Sequence, residues 1–287
     1  MLSARSAMRL DCHEHERPYA DRDGYDEEFT GVRVPLPRLT DEAMQRVARR
    51  IDVDASEGDH VLHYHHYSVV MNRVRRFCFF AASNTAREPR LTGTRPPAPI
   101  DAPWGFDPRI ARSHQVGRDE LYGPAGLDER HVHLPDDGRW GATDEARHLA
   151  YGDAFHFTNA TPRVRLDGSS GDLARARVER YISEQVGSVR SSVFAGPVFA
   201  PDDPAVEGVA VPQRAWEIVV VRGRTRIGAW GFVLDAGDVV RRQVSVAAIE
   251  GITEVRFADV VRDGDALRSD PDASVPIEAL ASIRGLR

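Results

Sequence analysis

The chain predicts an α+β fold, a mainly antiparallel central sheet flanked by helices. Strand-like segments fall in adjacent pairs: His63 to Met71 with Arg76 to Ser83, and Trp216 to Arg222 with Thr225 to Leu234. Each is rich in β-branched and aromatic residues, and Arg222-Gly223-Arg224 between the second pair reads as a tight hairpin turn. Helical patterns are few and do not alternate with the strands, as the βαβ units of a parallel sheet would.

Taken in order, residues 1–20 read as a flexible leader and 21–287 as one domain. From Gly24 to Pro37 closely spaced prolines disfavour helix. Thr40 is a helix N-cap, and Met44, Val47, Ala48 and Ile51 recur at i, i+3, i+4 and i+7, which predicts a helix to about Ile51. The first strand pair follows. Glu88 to Pro103 is proline-rich and without period, hence a surface loop, and Trp104 to Gln115 leads on from it. Thr143 to Tyr151 predicts a short helix. Asp172 to Gln185 predicts a longer one, with Ala174, Val178, Tyr181 and Ile182 on one face. Further strands are expected at Ser192 to Ala200 and Val255 to Val260.

The composition is that of a globular protein, 41% hydrophobic and 29% charged over 287 residues. No apolar run approaches the ~20 residues that span a bilayer, and the first twenty residues carry no apolar secretory core. A cytoplasmic chain with no membrane association is the expectation. Cys12 and Cys78 are the two cysteines, and a reduced pair is expected, with Cys78 packed in an apolar strand. Every basic residue other than histidine is arginine. The net charge of −6 argues against a protein that relies on a global positive field to hold nucleic acid, but leaves room for a local basic groove.

Histidine supplies the chemistry-bearing clusters. His63 and His65, like His131 and His133, stand at i, i+2; on a strand each pair would share a face and could offer two nitrogens to Zn²⁺. The chain has no glycine-rich phosphate loop, no Cys-x-x-Cys and no Gly-x-Ser-x-Gly elbow.

Leu127-Asp128-Glu129-Arg130-His131, followed by Trp140-Gly141 and then Phe155-His156-Phe157-Thr158-Asn159-Ala160-Thr161-Pro162, resembles the core of the DNA/RNA non-specific endonucleases. These are the endonuclease G-like nucleases with a ββα-metal (His-Me) finger. The strand pair from His63 to Asn84, Phe194-Ala195-Gly196-Pro197-Val198 with Trp216, and Val246 to Phe257 are similar to further parts of that family, in the same order. The family carries Asp-Arg-Gly-His; here Asp128 and His131 hold the outer places, with Glu129 and Arg130 between them.

The resemblance implies a finger at about residues 120–187. It implies hydrolysis of DNA and/or RNA phosphodiesters with little sequence specificity, dependent on Mg²⁺ or Mn²⁺. His131 would be the general base, Asp128 would support the local geometry and Asn159 would position the site. The metal would fall to Asp172 or Asp167 with Glu179, because the family's metal-binding asparagine aligns with Gly171. Arg130, Arg75, Arg76 and Arg163 are the candidate phosphate contacts. Homodimer assembly stays open. Two alternatives stay open as well: a catalytically degenerate nuclease fold that binds nucleic acid or protein, and a metallohydrolase built on His63 and His65.

Overall fold

A computed structural model describes residues 19–55, 58–86, 103–164, 171–235, 241–277 and 279–286, with the backbone alone at 163–164 and 171–176. Its strands are β1 (Arg38–Leu39), β2 (Val61–Tyr64), β3 (Tyr67–Met71), β4 (Cys78–Ala86), β5 (Leu127–His131), β6 (Ala160–Val164) and β7 (Arg190–Val198). They continue with β8 (Ala205–Val206), β9 (Val209–Ala210), β10 (Arg214–Arg222), β11 (Ile227–Asp235), β12 (Arg241–Val244), β13 (Val255–Arg256) and β14 (Ser274–Ile277). The helices are α1 (Asp41–Met44), α2 (Gly123–Ala125), α3 (Asp144–Asp153), α4 (Gly171–Val186), α5 (Val246–Ile252) and α6 (Asp259–Asp263). Among the described residues no helix is long and apolar enough to cross a membrane.

Eight strands form one sheet in the order β14-β12-β11-β10-β7-β4-β3-β2, and every pairing is antiparallel. The central strands are buried along almost their whole length, as the near-continuous apolar run Trp216 to Val221 requires: both of its faces are covered. On one face Phe80, Phe194, Ile218, Val220 and Val233 pack with Ile249 of α5, Val261 of α6, and Phe257. On the other, Val219, Val221, Trp230 and Phe232 pack with Val178 and Ile182 of α4. Removing a large side chain from such a packed layer costs about 3–5 kcal/mol.

Three expectations are corrected. The helix from Thr40 ends at Met44 instead of reaching Ile51. Thr40 does cap it, but Val47 then forms an isolated bridge with Asn72, just past the end of β3, and Ile51 is 68% exposed, so this long-range pairing overrides the helical period. The strand expected from His63 to Met71 is two strands: the chain reverses at His65–His66, where His66 has a φ of 68°. Val255 to Val260 is a two-residue strand followed by α6. The helices at Thr143 and Asp172 and the strand pair across Gly223 form where expected. Cys78 is buried with a free thiol that burial pushes up to about 12; Cys12, the leader before Tyr19 and most of the Glu88–Pro103 loop lie outside the described residues.

Candidate active site

A second hairpin, β5 with β6, stands apart from the large sheet and leads into α4, forming a ββα unit. Gly126, at φ 65°, ends α2 in the left-handed region that glycine adopts without cost, and turns the chain into β5. Cα pairing sets Asp128 against Arg163, Glu129 against Pro162, Arg130 against Thr161 and His131 against Ala160. Side chains alternate along the strand, so Glu129 and His131 share one face while Asp128 and Arg130 share the other.

Asn159 precedes β6 and is fully buried. Its side-chain oxygen accepts from the His133 backbone N–H at 2.7 Å, and its Nδ2 donates to the carbonyls of His133 at 2.9 Å and Ala154 at 2.8 Å. Its own carbonyl accepts from Val132 N–H at 2.9 Å. The amide thus ties the chain that leaves His131 to the chain that enters β6.

His131 is half-buried. Its ring stacks on Trp104 with centroids 4.5 Å apart and meets the edge of Phe155 at 4.9 Å. Trp104 is held in place by its neighbour: Gly105 N–H donates to the Phe155 carbonyl at 2.9 Å, and Phe157 N–H to the Gly105 carbonyl at 2.8 Å. The stack continues through Phe157 to Tyr122. His133, two residues on, instead lies buried against Tyr67 at 4.4 Å. The two histidines do not form one pair, because β5 ends at His131.

Beneath the hairpin lies a buried polar network. Asp153 accepts two 2.8 Å bonds from Arg22, one from the His65 backbone N–H at 3.0 Å, and pairs with His65 Nδ1 at 2.7 Å. Burial alone would raise its carboxyl; the His65 and Arg22 hydrogen bonds outweigh that and hold it below the usual carboxylate range. Tyr64 donates its hydroxyl to Asp107 and lies 2.6 Å from the Thr158 hydroxyl, while Arg109 caps Asp107 from the other side. These contacts fix Ala154 and Thr158 on either side of the segment that carries Phe155 and Phe157.

The remaining candidates fall in different places. Asp167 lies outside the described residues, as do the side chains of Arg163 and Asp172. Glu179 is buried on α4, two turns from Asp172, roughly 10 Å along the helix axis. Arg75 and Arg76, on the β3–β4 turn, are taken up internally. Arg75 binds Asp203 and the carbonyls of Ala200 and Ala210, and Arg76 binds Glu120 and the Gln115 carbonyl. His63 pairs with Ser68 at 2.9 Å and His65 with Asp153, so the turn between them removes the shared face that a zinc pair needs. Among the described residues no three His, Cys, Asp or Glu side chains converge on a metal position.

Sequence reasoning missed Trp104, Phe155, Arg118, Asp153 and Arg22. The one signal available for the first two was a tryptophan entering a segment of alternating aromatics.

The hairpin, helix and antiparallel sheet define a ββα-metal nuclease fold. The chain is similar to one in a crystal structure of the EndoG/EndoGI complex, with a TM-score of 0.55 and 15% identity, covering 71% of this chain and 86% of that one. A model of the DNA/RNA non-specific endonuclease family matches residues 47–264, and the chain belongs to that family. It is also 29% identical, over a 315-residue alignment covering 99% of its length, to the uncharacterized protein y4fB of Sinorhizobium fredii (strain NBRC 101917 / NGR234). The alignment takes in 46% of that relative, so the chain spans about half the length of the curated relative it matches.

Proposed function

We propose that this chain is a metal-dependent endonuclease that hydrolyses phosphodiester bonds of DNA and/or RNA with little sequence specificity. The observation that carries the reading is the placement of His131. It ends the first strand of the ββα unit, half-buried, with its ring oriented by Trp104 and Phe155 and its backbone tied to β6 through Asn159. A neutral imidazole in that position can take a proton from water. Water oxygen then bonds to phosphorus, its proton passes to His131, and the bond to the leaving sugar oxygen breaks, that oxygen keeping the electron pair and taking a proton from solvent. Asn159 holds the strand geometry, and Asp128 and Arg130 stand on the opposite face.

The donor set suits Mg²⁺ or Mn²⁺ in kind, since such an ion takes one or two carboxylates and keeps several waters. Asp172, on the first turn of α4, or Asp167 would hold it together with Glu179, which is buried on the same helix. When bound, it supplies Lewis-acid stabilisation of the charge on phosphate and leaving oxygen.

A second reading, a nuclease fold that binds without cutting, draws on Glu129, a carboxylate on the same face as His131. Nicking of supercoiled plasmid and single-stranded RNA with Mg²⁺, Mn²⁺ or EDTA separates the two. Metal-dependent cleavage that disappears in His131→Ala supports the nuclease; a folded protein that cuts neither substrate in any metal overturns it.

A further inference from the structure

The face of β5 that presents His131 also presents Glu129, ~7 Å along the strand. Both border the same row of rings. Glu129 lies near Tyr122, whose hydroxyl is raised first by burial and then by that carboxylate, and His131 stacks on Trp104 at the other end of the row. An uncompensated carboxylate there would repel a phosphate approaching His131. It is compensated: Arg118, on the π-helical turn Arg118–Tyr122 before α2, places Nη2 3.0 Å from each Glu129 oxygen and donates to Oε2.

The pair is asymmetric. The Glu129 side chain is 6% exposed and that of Arg118 59%, so the carboxylate is sunk against the strand and the guanidinium stands over it toward solvent. A guanidinium carries five N–H donors in a planar fork. One nitrogen meets Glu129, and the outer edge remains turned to solvent. On β5 itself the arginine is Arg130, on the opposite face, opposite Thr161.

We propose that Arg118 is the phosphate-contacting cation of the His131 face and that Glu129 is its positioning residue. The ligand is a backbone phosphate of a nucleic-acid strand whose scissile phosphate lies at His131. Glu129 thus serves as the seat of a positive charge brought in from a neighbouring turn. The inference rests on the nuclease reading for the identity of the strand, though phosphate contact by Arg118 does not require that the strand be cut.

The test compares the full chain with Arg118→Ala, Arg118→Lys and the double variant Arg118→Ala/Glu129→Arg. Two measurements are made on each: plasmid nicking with Mg²⁺, and the salt dependence of Kd for a labelled DNA duplex in EDTA. Removing Arg118 leaves the sunken Glu129 carboxylate short of its cation, so Arg118→Ala is expected to melt earlier, and both measurements are made at a temperature where every variant is folded. Expected are a roughly tenfold to hundredfold loss of kcat/KM, a salt slope reduced by about one phosphate contact, partial retention in the lysine variant, and recovery in the double variant. Cleavage and salt slope unchanged in Arg118→Ala would overturn the proposal and leave the nuclease reading standing. A parent that binds duplex but never cuts, with binding weakened by Arg118→Ala, would overturn cleavage and support the contact. A parent that neither binds nor cuts would overturn both.

Discussion

Asn159 and His133 are bonded in both directions: the Asn159 side chain accepts from the His133 N–H at 2.7 Å and donates to the His133 carbonyl at 2.9 Å. A side-chain amide here does what a strand neighbour would do, just where β5 ends and no further ladder is available. Asn159→Ala removes the partners of the His133 N–H and of the His133 and Ala154 carbonyls. Each buried unpaired group costs about 1–3 kcal/mol, so a loss of about 3 kcal/mol or more is expected. Urea denaturation measures it. A stability equal to the parent would show that these bonds are replaced by water.

His131 stacks on Trp104, and the orientation of the imidazole depends on that ring. Trp104→Ala opens space beside His131, and cleavage is expected to fall about a hundredfold through misplacement of the proposed base. Trp104→Phe keeps a face to stack on and should retain most of the rate. The check is plasmid nicking by both variants beside their melting curves. Equal rates in the parent and in Trp104→Ala would remove the tryptophan from the site.

Asp153 provides a pH signature. Its folded carboxyl titrates below the unfolded value of about 3.9, so its contribution is fully present above that pH and is lost as pH falls toward the folded value. Asp153→Asn leaves Arg22 and His65 without their carboxylate and should cost about 3–5 kcal/mol at pH 7. The difference from the parent should narrow below about pH 4. Denaturation of both proteins at pH 7 and pH 3 reads this directly, and a gap of constant size would refute the assignment.

What was legible in the sequence was what local pattern determines. Gly223 marks a hairpin, Thr40 marks a cap, Thr143 opens a short helix, and the segment at Phe155 sits beside β6. What was not legible depends on partners distant in the chain. Val47 follows a helical period but pairs with Asn72. His65 continues a strand-like composition, yet it turns out to meet Asp153, 88 residues away. The partners of His131 arrive from both sides, Trp104 from before β5 and Phe155 from after it, and no spacing rule announces either.

Arg75 separates a phosphate contact from a structural one. Its guanidinium binds Asp203 and two backbone carbonyls and lies 4.8 Å over the Phe199 ring; its side chain is 15% exposed and that of Asp203 2%. Asp203 also accepts from the backbone N–H groups of Ala200 and Gln213, so the pair knots the β3–β4 turn to the loops on either side of β8 and β9. Arg75→Ala would leave a buried carboxylate short of its cation, a loss of about 3–5 kcal/mol. A phosphate contact would behave otherwise, weakening nucleic-acid binding and lowering its salt slope by about one with little change in stability. Arg75→Ala is therefore expected to melt earlier while keeping the parental salt slope at a temperature where both are folded. The reverse result, parental melting with a shallower slope, would return Arg75 to the substrate side.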